Sequence, residues 1–172
     1  PAGNVFWSQP LLLSRPYVGW YPSMIIDGSG RIHISAYDTS GANLSYILMS
    51  GWNDSNPQVV TVDSFNSVGY FSDIKIDDTG RPAIAYYNSS ETGTRNAIRL
   101  ARYTGDVGSI AAGVDVSGFA TGAWEVATVP VGTVPRGAQS SFLKVNLGFT
   151  AAGVPVVGYA GDALEYSRPL GE

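Results

Sequence analysis

GWYPSMIIDGSGRIHISAYD occupies residues 19–38, and GYFSDIKIDDTGRPAIAYYN occupies residues 69–88. Aligned over 18–38 and 68–88 at a fixed offset of 50, with no gap, the two stretches share eight of 21 residues. The shared pairs are Val18/Val68, Gly19/Gly69, Ile26/Ile76, Asp27/Asp77, Gly30/Gly80, Arg31/Arg81, Ile34/Ile84 and Tyr37/Tyr87. Trp20/Tyr70 and Tyr21/Phe71 are conservative. Self-similarity at this period signals an array of supersecondary units.

Each copy reads as a β-hairpin. DGSG and DDTG supply the turns, because Gly tolerates positive φ and Asp hydrogen-bonds the local backbone. In the returning strand of the first copy, Ile32, Ile34 and Ala36 alternate with Ser35 and Tyr37. A strand without a polar face is predicted to be covered on both sides. A weaker third copy, LGFTAAGVPVVGYAGDALEY, matches the second at an offset of 73, with Thr150 where the turn Asp is expected.

After each hairpin comes a third strand: NLSYIL (43–48), AIRLAR (97–102) and ALEYSR (163–168). A fourth element opens at Trp52 and again at Trp124. The units are therefore four antiparallel strands, A-B-C-D, in an all-β chain. Four-stranded units stacked face to face and arranged radially are β-propeller blades, and a plain β-sandwich with accidental similarity between its strands is the alternative. The unit limits are about 18–67, 68–136 and 137–172, and an N-terminal strand at 4–17 carries Trp7 in the place of Trp52 and Trp124. The predicted order is D-ABCD-ABCD-ABC: three blades' worth, with one blade split between the two ends of the chain. Such a split ties the ends together and leaves no open edge. Propellers have roughly four to eight blades, so closure calls for more than one such chain. Two chains each completing the other's split blade would form a six-bladed ring. A longer precursor with further blades, or an open filament grown by strand addition, are the alternatives.

The pattern carried by Gly19, Ser23, Asp27, Gly30, His33, Ile34, Tyr37, Asp38, Leu44 and Tyr46 resembles the repeats of secreted bacterial β-propeller proteins. The second copy departs from it at Asp73 and Ala83. The resemblance implies a secreted or surface location, and it brings no sugar-site motif that transfers residue by residue. The opening at Pro1 reads as processing, with removal of a signal peptide, trimming and a larger precursor as the explanations.

Composition narrows the function classes. The 172 residues are 44% hydrophobic and only 14% charged, with net charge −4 and no basic stripe, which leaves nucleic-acid binding and attraction to anionic membranes without a source. No apolar run approaches the roughly 20 residues of a membrane-spanning helix. Cysteine is absent, which excludes disulfides, thiolate metal sites and a Cys nucleophile.

Residues for chemistry are few. His33, the only histidine, lies mid-strand among apolar neighbours and reads as packing. Asp27, Asp77 and Asp78 sit in hairpin turns without calcium-loop spacing. The sequons at Asn43, Asn53 and Asn88 read as surface turns, and 103–122 as an insertion with almost no charge, suited to an interface. No phosphate loop, dinucleotide fingerprint, nucleophile elbow or zinc motif is present. The expectation is a module without catalytic residues, metal or cofactor. Its candidate ligand-binding residues are Trp20, Tyr21, Tyr70 and Phe71, which recur just before the A strands where flat rings can meet a sugar or a partner protein. Trp7, Trp52 and Trp124 read as structural. The competing expectations are a structural subunit of a surface filament and a propeller-type glycoside hydrolase or lyase.

Overall fold

The computed structural model describes residues 18–52, 54, 56–65, 67–89, 97–105, 123–130, 144–160 and 164–167. All regular structure of any length among them is antiparallel β. The first sheet has the order β1 (Val18–Ile26), β2 (Ile32–Asp38), β3 (Asn43–Met49), β4 (Gln58–Asp63). The second repeats it with β5 (Val68–Ile76), β6 (Pro82–Asn88), β7 (Ala97–Tyr103) and β8 (Trp124–Thr128). The third holds β9 (Val145–Phe149), β10 (Pro155–Ala160) and β11 (Leu164–Ser167). The A-B-C-D order expected from the repeat is thus the strand order of two sheets, and A-B-C that of the third. The segment around Trp7, the limits of the split blade and residues 106–122 of the insertion lie outside the described residues.

Local chemistry explains the hairpins. Asp27 Oδ1 accepts the N–H groups of Ser29 (2.8 Å) and Arg31 (2.9 Å). Asp77 Oδ1 does the same for Thr79 and Arg81, both at 2.9 Å. In the third turn Thr150 Oγ1 accepts the Val154 N–H at 3.2 Å, so a hydroxyl replaces the carboxylate in the same role. All three turns close on a glycine at positive φ (Gly30 81°, Gly80 83°, Gly153 76°), which a side chain would strain.

Packing runs in series. The first core joins the back of the first sheet (Leu44, Tyr46, Leu48) to the front of the second (Ile74, Ile84, Tyr86, Tyr103, Trp124). The next joins the back of the second sheet (Ala83, Ala85, Tyr87, Ile98) to the front of the third (Val145, Leu147, Val157, Tyr159). Each sheet therefore turns equivalent residues towards its predecessor: Ile84 and Val157 are related by the offset of 73. The A strands lead this packing, with β5 against β1 and β2, and β9 against β5 and β6. As expected, β2 and β6 are buried on both faces.

Two expectations are corrected. Trp124 is buried at the start of β8, against Tyr46 (5.2 Å) and Tyr103 (5.5 Å). Trp52 is instead 65% exposed and sits in the turn before β4, which begins only at Gln58, after Pro57. Pro57 offers no N–H and restricts the residue before it, so the strand cannot reach back to Trp52. Asn88 is buried as the last residue of β6 and is not a surface turn. Asn53 lies outside the described residues.

Gly69 marks a close approach of the second sheet to the first. It has φ 107°, and a Cβ there would stand 2.9 Å from Leu44 Cα. Its repeat mate Gly19 has φ 134° but no atom within 4 Å of such a Cβ. The expected outcome is that Gly69→Ala costs about 2 kcal/mol or more from strain and backbone clash together. Gly19→Ala costs roughly half as much, from strain alone. Urea denaturation of the two variants beside wild type measures the difference; equal losses would remove the close approach as the cause.

Candidate functional site

The four aromatic residues singled out by the repeat lie together at the start of β1 and β5. Both strands are irregular there, with register shifts between Val18 and Ser23 and between Val68 and Asp73. Extra residues bend an edge strand and re-aim its side chains. Tyr21 and Phe71 sit at equivalent points of the two bulges with φ 51° and 52°, a left-handed conformation costly for bulky residues. The turned rings meet: Tyr21 and Phe71 have centroids 4.4 Å apart, and Tyr21 lies 5.6 Å from Tyr70. Trp20 stands edge-on to Tyr21 at 6.2 Å and is 60% exposed, whereas Tyr21, Tyr70 and Phe71 are half-buried.

Two residues of the cluster were missed from sequence. Tyr37, at the end of β2, stacks on Tyr70 with centroids 4.3 Å apart at 29°. The Tyr70 hydroxyl donates to Tyr37 Oη at 2.9 Å, and Ser67 Oγ lies 3.0 Å from Tyr70 Oη. Burial raises the Tyr70 hydroxyl above its ordinary pKa. Alternation placed Tyr37 in the core, and it is buried there, beneath the half-buried ring of Tyr70; its identity with Tyr87 was the signal that it also belongs to the cluster. The result is a rim of five rings with hydroxyl groups between them, one indole outermost.

The opposite end of β1 carries charge. Asp27 Oδ2 accepts from Arg31 Nε at 2.6 Å and lies 3.2 Å from His33 Nε2, while His33 Nδ1 lies 2.7 Å from Tyr46 Oη. An ionised Asp27 can only accept, so His33 Nε2 carries the proton and Nδ1 accepts from the Tyr46 hydroxyl. His33 is fully buried, and its role is to brace the first turn against β3. Asp27 and Asp77 are engaged by turn N–H groups, and among the described residues no three His, Asp or Glu side chains converge on a metal-sized site. A shallow cleft of about 250 Å³ lies near the second turn, lined by Arg81, Arg102, Tyr103, Thr104 and Glu125. Its arginines already have partners, Arg81 in the Gly105 carbonyl and Arg102 in Asp77.

In comparisons with known proteins, no family model matches the chain, and no curated protein matches it.

Burial disfavours the charged form of Asp27, but the Arg31 side chain and N–H, His33 and the Ser29 N–H together hold its pKa down to about 2, from 3.8. Burial also lowers His33 below 6.5, against the pull of Asp27. Both shifts act in one direction on acidification. An unfolded chain takes up a proton at His33 from about pH 6.5 downwards and at Asp27 from about pH 4, before the folded chain does. Stability is therefore full at neutral pH and is lost in two stages. The Asp27 stage is worth on the order of 2 kcal/mol between about pH 4 and about pH 2. Asp27→Asn flattens the lower stage and His33→Gln the upper one in melting temperature against pH; profiles parallel to wild type would remove these groups as the source.

Proposed function

We propose that this chain is a non-enzymatic binding and assembly module built of propeller blades, working outside the cell or at its surface, and contacting a glycan or a protein through its aromatic rim. The observation that carries this reading is the pair of left-handed aromatic residues, Tyr21 and Phe71. Backbone strain of about 1–3 kcal/mol at each is kept at two equivalent places, and strain concentrates where a fold positions groups for contact. What the strain achieves is a bank of rings with Trp20 exposed beside it. Flat rings of this kind stack on the apolar face of a pyranose, and Trp and Tyr are also the side chains that anchor protein interfaces.

The blade reading is supported by the order A-B-C-D in successive sheets, by equivalent faces turned the same way, and by packing led from the A strands. Sheets that touch chiefly along one edge diverge towards the other, which suits a radial array. A surface filament subunit is the second reading, favoured by the serial stacking itself, which has no built-in stop. A hydrolase or lyase finds less support, because the repeated acids Asp27 and Asp77 hold their own turns.

The test is a panel of soluble oligosaccharides and immobilised polysaccharides, with binding followed by calorimetry. A ligand found there is expected to bind Trp20→Ala at least about tenfold more weakly, the worth of one stacked ring. The variant keeps its melting temperature within a few degrees, since Trp20 packs little. Undiminished binding by Trp20→Ala together with Tyr21→Ala would overturn the rim as the contact surface.

A further inference from the structure

The two sheet junctions inside the chain obey one rule. A side-chain oxygen of one A strand accepts the backbone N–H of the next A strand. Ser23 Oγ accepts from Ile74 N–H at 3.3 Å, and Asp73 Oδ2 accepts from Leu147 N–H at 2.8 Å. Ser23 and Asp73 are repeat mates at the offset of 50, and Ile74 and Leu147 at the offset of 73. Carried one step on, the rule puts Asn146 in the acceptor's place on β9; carried one step back, it puts Met24 in the donor's place on β1.

Both places are open. Asn146 is exposed and lies on the face of β9 opposite Leu147. On that same face a Cβ at Gly148 would meet nothing within 4 Å. Met24 pairs with Ile34 in the register in which Ile74 pairs with Ile84, so its N–H points away from β2. Met24 and Ile26 are 53% and 46% exposed, although Ile74, the mate of Met24, is fully buried against the first sheet. The buried residues Ile32, Ile34, Ile47 and Met49 belong to the farther strands of that face. The strand left bare is β1, the A strand, which is the part of a sheet that packs on its predecessor at both internal junctions.

We infer that a second copy of this chain occupies these places: β1 of each copy lies over β9 and β10 of the other, and Asn146 Oδ1 accepts the Met24 N–H across each junction. Two such junctions close a ring of six sheets. The occupant follows from continuity, because the junction is one that the chain already builds twice within itself, with Met24 and Ile26 as the apolar filling and an amide oxygen as the acceptor. The inference rests on the blade reading of the sheets and is independent of what the rim binds.

The test is sedimentation velocity of the 172-residue chain from about 1 µM to 100 µM. The expected result is a concentration-dependent species of twice the 18.1 kDa chain mass. Asn146→Ala removes an acceptor at both junctions and weakens the dimer about a hundredfold, or about tenfold at each. Asn146→Asp keeps an acceptor, as Asp73 does, and stays within a few fold of wild type. Met24→Glu abolishes the dimer while its far-ultraviolet circular dichroism stays that of the wild type. A monomer throughout the range, equal behaviour of the Ala and Asp variants, or open-ended polymers would each overturn the ring. Repeating the glycan titration separates this failure from failure of the rim: a monomer that binds glycan overturns the ring alone, and a dimer that binds none overturns the rim alone.

Discussion

An edge strand carries a row of N–H groups that its own sheet cannot satisfy, and here those edges are brought into the interior of a stack. An unpaired backbone donor away from water costs about 1–3 kcal/mol, so the stack depends on what the preceding sheet offers. Ser23 and Asp73 make that offer to Ile74 and Leu147. Ser23 also donates to Asp73 at 3.1 Å, so one hydrogen-bonded line crosses all three sheets. Lys75 balances the carboxylate at 2.8 Å. This line fixes how far each A strand is shifted along its neighbour. Gly69 fixes how close the second sheet comes to the first, because nothing larger than hydrogen fits against Leu44. The apolar cores then fill a gap whose width is already set.

That constraint also explains the rim. With the middle of β1 and β5 pinned, the excess length at the start of each strand leaves as a bulge, and Tyr21 and Phe71 turn into the left-handed region. Their rings close the junction at 4.4 Å, where aliphatic side chains on a regular strand would leave a notch. The two ends of each strand therefore divide the work. One end is stiffened by carboxylate and hydroxyl turns, and the other carries rings and hydroxyl groups.

Much of this was legible in the sequence, for identifiable reasons. The hairpins were, because Asp27, Asp77 and three turn glycines have few other uses at those spacings. The burial of β2 and β6 was, because neither strand has a polar face. The grouping of Trp20, Tyr21, Tyr70 and Phe71 was, because equivalent places in stacked repeats are neighbours in space. Trp52 misled: resemblance to Trp124 in identity outweighed the signal from Pro57, which delays the strand. Tyr37 was read correctly as buried, and its part in the cluster was hidden because a core ring that supports a rim ring leaves no separate mark in the alternation. The line of acceptors was hidden for a different reason. Ser23, Asp73 and Asn146 share no side-chain class, and only their common duty of accepting one N–H makes them equivalent.

Differences between junctions matter as much as their common rule. An apolar face of Ile, Leu and Tyr would pack on any of its repeats, and on itself one residue out of register, with little loss. Polar pairs remove that freedom. At the first junction Asp63 binds both the Tyr86 hydroxyl and Arg99, and Ser35 meets Ser72 at 2.8 Å. The third sheet carries Val145 where Ser72 stands, so it cannot replace the second without orphaning the Ser35 hydroxyl. Removing one member of such a buried pair costs more than the pair contributes when intact, so its main effect is to penalise wrong neighbours. The order of the sheets is thus written in a handful of polar side chains, while the cohesion of the stack is left to residues that any copy could supply.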